Sequence, residues 1–141
     1  MPGESPNNVR AVVPMLICRD AAAEIDFCKA AFGAVEESRR STPDGTVVHA
    51  TLSVGESLVM IHGEFPNLAS RAPQSDGSSS VVVYVYVGDS DTVIERAVAA
   101  GAKVLIPVKD QPWRDRVGRI IDPSGHVWNV ASGSAGAISR L

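Results

Sequence analysis

The chain has 141 residues, of which 45% are hydrophobic and 21% charged. This is ordinary globular composition at the length of one domain and excludes a disordered segment, a collagen and a coiled coil. Thirteen Lys and Arg against sixteen Asp and Glu give a net charge of −3 with no basic run, so the electrostatic footprint of a nucleic-acid binder is missing.

The first ten residues carry no apolar signal segment, and the longest apolar runs reach about seven or eight residues, far short of the ~20 of a membrane helix. A cytoplasmic protein without a membrane partner is the expectation. Val9 to Cys18 is almost continuously apolar and rich in Val and Ile, the pattern of a strand buried on both faces, with Pro14 pointing to a sheet edge. Asp20 offers a helix N-cap. Ala21, Ile25, Cys28 and Phe32 then follow at helical spacing up to Gly33, a natural helix-ending residue. Cys18 and Cys28 have neither CxxC spacing nor the numbers of a disulfide framework and read as core thiols. Val35 to Thr42, Thr46 to Val54 and Ser57 to His62 read as three strands, separated by the turns Pro43-Asp44-Gly45 and Gly55-Glu56.

From Glu64 to Ser80 the pattern gives way to Pro, Asn, Ser, Gln and Gly, a long connecting loop. It then begins again. Val81 to Val87 is a strand, and Asp89 or Ser90 caps a helix with a stripe of Ile94, Ala97, Val98 and Gly101. Lys103 to Val108 is a strand, and Trp113 to Ile121 and His126 to Ala131 form a hairpin around the turn Asp122-Pro123-Ser124-Gly125. Asp20 and Asp89, like Gly33-Ala34 and Gly101-Ala102, recur at nearly one spacing, which points to an internal duplication. The expected fold class is α+β, built of two βαβββ modules over residues 9–63 and 81–132. The loop 64–80 joins them, and 1–8 and 133–141 are tails. Each sheet carries its helix on one face, which leaves the other faces for a shared concave cleft.

Three segments resemble the vicinal oxygen chelate superfamily of glyoxalases, bleomycin resistance proteins and dioxygenases: Asp122-Pro123-Ser124-Gly125-His126-Val127-Trp128, DAAAEIDF from Asp20 to Phe27, and VVHATLSVGESLVMIHGE from Val47 to Glu64. They look closest to its PhnB-like branch. The resemblance spans about Val9 to Ser132 and implies one domain of paired βαβββ modules whose cleft is completed in a homodimer. It also implies metal ligands, His or Glu, on the first and last strand of each module. Carried onto this chain, those positions are Val13, Met60, Val82 and Asn129, none of them a His or a carboxylate. A cleft with no metal or other cofactor is the expectation. The remaining donors, His49, His62, Glu64 and His126, follow no metal-ligand motif; they read more simply as polar rim residues, with His126 capping its turn.

Strand alternation assigns Val13, Met15 and Ile17, His49 and Thr51, and Leu58, Met60 and His62 to the cleft side of the first sheet. Val82, Tyr84 and Tyr86, with Val127, Asn129 and Ala131, take that side in the second, while Trp128 faces the helix. Trp113, Asp115 and Arg119 line the mouth, unless a bulge exchanges Arg116 for Arg119. The candidate ligand contacts are therefore Met15, His49, Met60, His62, Tyr84, Tyr86, Trp113, Arg119 and Asn129. Tyr84 and Tyr86 serve equally well as subunit-interface residues. His49 is the best candidate for moving a proton, although a hydrogen-bonding role in the wall is the plainer one.

No GxSxG, GxGxxG, GxxxxGK or HExxH is present, so serine hydrolase, dinucleotide, P-loop and zincin chemistry lack their residues. The function expected is metal-free binding of an apolar or aromatic organic ligand, with antibiotics and metabolites as candidate classes and catalysis not required. The competing reading is a glyoxalase-type lyase or isomerase using a divalent metal on His49, His62 and Glu64.

Overall fold

A computed structural model describes residues 11–74 and 79–133. Residues 1–10, residues 75–78 of the loop and residues 134–141 lie outside the described residues, while Gly133, expected in the tail, belongs to the last strand. The chain forms two compact units, one of residues up to Lys29 with Gly33–Ala72, the other of Ala30–Phe32 with Pro73 onward.

The first unit runs β1 (Met15–Cys18), α1 (Ala21–Phe32), β2 (Val35–Ser41), β3 (Val47–Val54) and β4 (Ser57–Gly63). Its sheet has the order β1-β4-β3-β2, with β1 parallel to β4 and the other pairs antiparallel. Asp20 caps α1 by accepting the Ala23 N–H at 3.0 Å, which satisfies one of the amides a helix start leaves without a partner. Gly33 ends it at φ 67, a left-handed conformation that glycine takes without a Cβ penalty. Leu16 and Cys18, Ala50 and Leu52, and Val59 and Ile61 form one buried face of the sheet.

β1 is shorter than the apolar run suggests. Ala11, Val12 and Pro14 are exposed, and the pairing stops at the proline, which has no N–H to give. Only its carbonyl continues the ladder, accepting from Met60 N at 2.9 Å. β1 is nonetheless an edge strand, as Pro14 indicates.

The second unit repeats the order with β5 (Val82–Tyr86), α2 (Ser90–Ala99), β6 (Lys103–Asp110), β7 (Asp115–Ile121) and β8 (Val127–Gly133), arranged β5-β8-β7-β6. The connection before it holds one short 3-10 turn, Pro66–Leu68. Asp89 caps α2 through Asp91 N and Thr92 N. Ser90 is the first helical residue and is tied to β8, its N–H donating to Ser132 Oγ at 3.1 Å. α2 packs across β6, β7 and β8 and buries Ser90, Val93, Ile94 and Ala97.

Val98, placed on the apolar stripe from its spacing, is instead 46% exposed. Val93, five residues earlier and one turn before Ala97, is among the buried residues instead. Among the described residues no helix is long and apolar enough to cross a membrane.

Candidate functional site

In the second sheet Trp128, Val130 and Ser132 on β8 and Gly118 and Ile120 on β7 share the buried face toward α2. The opposite face is open in part: Tyr84 and Tyr86 are exposed, Arg119 and Asn129 half-buried, and Val117 and Ala131 buried. There Tyr84, Asn129 and Arg119 lie side by side across β5, β8 and β7, with Tyr86, Ala131 and Val117 in the next row. The register between β7 and β8 is unbroken, and the irregularities fall on β6. Arg119 therefore stays on the open face, while Arg116 turns the other way and binds Asp91 and Asp110.

Asp115 organises this face. It is 1% exposed, and its Oδ2 accepts the hydroxyls of both Tyr84 and Tyr86 at 2.9 Å. A carboxylate so removed from water needs charge-assisted hydrogen bonds to offset its lost hydration, and the two phenols supply them. The Trp113 indole N–H donates to Tyr84 Oη at 3.2 Å. To reach from β5 to Asp115 on β7 the phenol rings cross β8 where it carries only Ala131 and Gly133, small enough to leave them room. The rings lie 5.3 Å apart, tilted by 43°.

Trp113 is brought in by the turn between β6 and β7. Gln111 N donates to Asp115 O at 2.7 Å, Arg114 N donates to Gln111 O at 3.0 Å, and Arg114 sits at φ 70. A non-glycine residue costs roughly 1–2 kcal/mol in that conformation. Strain of this kind gathers where a side chain must be held in one place. In the adjacent row Arg119 Nε donates to Asn129 Oδ1 at 2.7 Å.

On the first sheet His49 and His62 are cross-strand partners with ring centroids 5.6 Å apart. His62 Nδ1 lies 2.9 Å from the Gly63 carbonyl. A carbonyl only accepts, so Nδ1 is the donor in this contact. Burial, followed by the charges of His62 and Arg40, lowers the His49 pKa below its ordinary value. Met60 pairs with Met15 on the same sheet, and Met15 is 46% exposed. The Glu64 carboxylate accepts the Ala72 N–H at 2.8 Å and so holds the chain after β4. Among the described residues no three His, Cys, Asp or Glu side chains are grouped to hold a metal ion.

Residues 10–130 match the model of the Glyoxalase/Bleomycin resistance protein/Dioxygenase superfamily. The chain belongs to that superfamily. An uncharacterized protein of Mycobacterium bovis is 40% identical over 123 residues, which are 85% of this chain and 81% of that protein. TioX from Micromonospora sp. ML1 is similar in structure, with a TM-score of 0.68 and 29% identity over 86% of this chain and 97% of its own. The fosfomycin resistance protein FosX from Mesorhizobium loti shares the fold at a TM-score of 0.64 and 16% identity, over 87% of this chain and 90% of its own.

The residues at the positions to which the resemblance carries metal ligands are poor donors for a divalent ion. Val13 and Val82 have no lone pair, and the Met60 thioether is a soft, weak donor. The Asn129 oxygen already faces the Arg119 guanidinium, a charge that opposes a cation there.

Sequence reasoning placed Asp115 near the mouth and missed its part as common acceptor for two tyrosines. The signal available was a carboxylate at the start of a strand, in phase with Val117 and Arg119.

Proposed function

We propose that this member of the superfamily binds a small organic molecule without a metal, holding an apolar or aromatic ligand on the open face of the second sheet. The observation that carries this reading is the Tyr84–Asp115–Tyr86 arrangement. Hydrogen bonds fix the rings while Tyr84, Tyr86 and Trp113 remain 40, 49 and 57% exposed. Pre-set aromatic surface beside the polar Arg119–Asn129 pair is what an orienting site for an organic ligand requires. The name of FosX makes an antibiotic one candidate class.

On the first sheet, taken by itself, Met15, Met60, His49 and His62 are the candidate ligand contacts. Of these His49, neutral at physiological pH, is the group best suited to accept a proton. No bond-making step is needed for binding. The reading includes a homodimer, supported by the edge strand β6, where Val104, Leu105 and Ile106 are exposed. An apolar edge of this kind is usually covered. It also includes the cytoplasm as location, supported by the burial of Cys18 and Cys28.

Native mass spectrometry of the purified protein before and after chelator treatment tests it. The expected spectrum is a dimer without metal that takes up or retains an organic molecule. A stoichiometric metal whose removal abolishes the fold or the ligand would overturn it.

A further inference from the structure

Building on that reading, we propose that the aromatic surface formed by Tyr84, Tyr86 and Trp113 around Asp115 seats an organic cation of the alkylammonium class. Three features of the geometry carry this. The first is the grouping of three exposed aromatic side chains around one point, with Tyr84 bonded to Trp113 and both phenols converging on one carboxylate. Ring faces are electron-rich and attract a cation placed within about 6 Å of them. The second is the direction of the hydrogen bonds. Both phenols donate to Asp115, and donation to a carboxylate raises the electron density of the donor ring, which strengthens that attraction.

The third is the carboxylate itself, 1% exposed. As an anion it favours a cation in the box and opposes an anion there. The rest of the face has the opposite sign. Arg119 stands four residues along β7 from Asp115, roughly 13 Å in an extended strand, and Lys109 lies across from Val117 on the edge strand. Val117 and Ala131, between box and arginine, are buried. The ligand that matches therefore carries its ammonium group over the exposed aromatic side chains.

Fluorescence titration of the full chain tests this, because Trp113 is exposed and Trp128 is 1% exposed, so a ligand in the box perturbs Trp113 alone. The probes are choline chloride and its neutral isostere 3,3-dimethyl-1-butanol, with sodium chloride as the control for ionic strength. Choline is expected to give a saturable change and to bind at least fivefold more tightly than the isostere. Asp115→Asn is expected to abolish that preference. Should Asp115→Asn fail to fold by circular dichroism, Tyr86→Leu carries the test, since Tyr86 is half-exposed. It is expected to weaken choline at least fivefold, while Tyr86→Phe, which keeps the ring, weakens it less.

Equal affinity for choline and the isostere overturns the proposal, as does a folded Asp115→Asn or Tyr86→Leu variant that binds choline unchanged. A neutral aromatic probe without tryptophan-like emission, such as benzyl alcohol, that binds where choline does not overturns the cation and leaves the binding-protein reading standing. If neither binds, both fail.

Discussion

Asp122 and His49 show how one side chain's surroundings decide what a substitution does. Asp122 is buried. Its Oδ1 accepts the N–H groups of Ser124 and His126 at 2.9 Å, and its Oδ2 accepts the Trp128 indole N–H at 2.8 Å. An asparagine oxygen can still take the two turn amides, but its NH2 then meets the indole N–H, donor against donor. Asp122→Asn is expected to lose about 2–3 kcal/mol, the cost of a buried donor without an acceptor plus the lost charge assistance. Urea unfolding measures it, and a loss below about 0.5 kcal/mol would show that the carboxylate is not holding the turn. For His49 the sign follows from its lowered pKa. The unfolded chain binds this proton at higher pH than the folded one, so stability present above pH 6.5, the ordinary value, is lost as pH falls through it. The melting temperature of the wild type is expected to drop more than that of His49→Gln between about pH 7.5 and 5.5. Equal drops would place the pH dependence on another group.

At the scale of the elements, α2 lies close on β7 because Gly118 has no side chain. A Cβ there would stand 2.5 Å from Ile94 Cδ1 and 2.9 Å from Val108 Cγ2. Gly118→Ala is therefore expected to destabilise by about 1–3 kcal/mol through overpacking, with Gly118→Val worse. A stabilised alanine variant in the same urea assay would mean that α2 can move outward without loss. The elements were legible because their signals are local: Asp20 and Asp89 cap helices, Gly33 ends one, and alternation along Tyr84, Val85 and Tyr86 separates two faces. Their limits were less so. The end of β1 depends on Pro14 having no N–H, β6 runs on to Asp110 through an irregular register, and Val98 turns outward because the sheet under α2 selects Val93. In the candidate site the phase of Tyr84, Tyr86, Arg119 and Asn129 could be read from period-two spacing. The meeting of both phenols on Asp115 could not, since it depends on β8 lying between β5 and β7 with small residues beneath the rings, and on a strained turn at Arg114 that presents Trp113.

For the molecule as a whole, the donor chemistry becomes a thermodynamic expectation. A ligand that binds only the folded chain adds RT ln(1 + [L]/Kd), about 2.7 kcal/mol at a hundredfold excess over Kd. For a chain of 141 residues that corresponds to roughly 8 °C in melting temperature. With valines at two of the positions to which the resemblance carries a ligand and a guanidinium on the asparagine at a third, the proposed metal-free reading gives zinc, nickel, manganese or magnesium no such increment. Thermal scans with each ion at about 1 mM, and with a chelator, are expected to coincide with the untreated protein to within about 1 °C, whereas an organic ligand of the second sheet raises the transition by several degrees. A rise of about 5 °C or more with one ion, reversed by the chelator and absent in His49→Gln or His62→Gln, would instead place a metal on the two imidazoles of the first sheet. That result would bring back the lyase reading, because a metal held there supplies the Lewis acid that such chemistry requires.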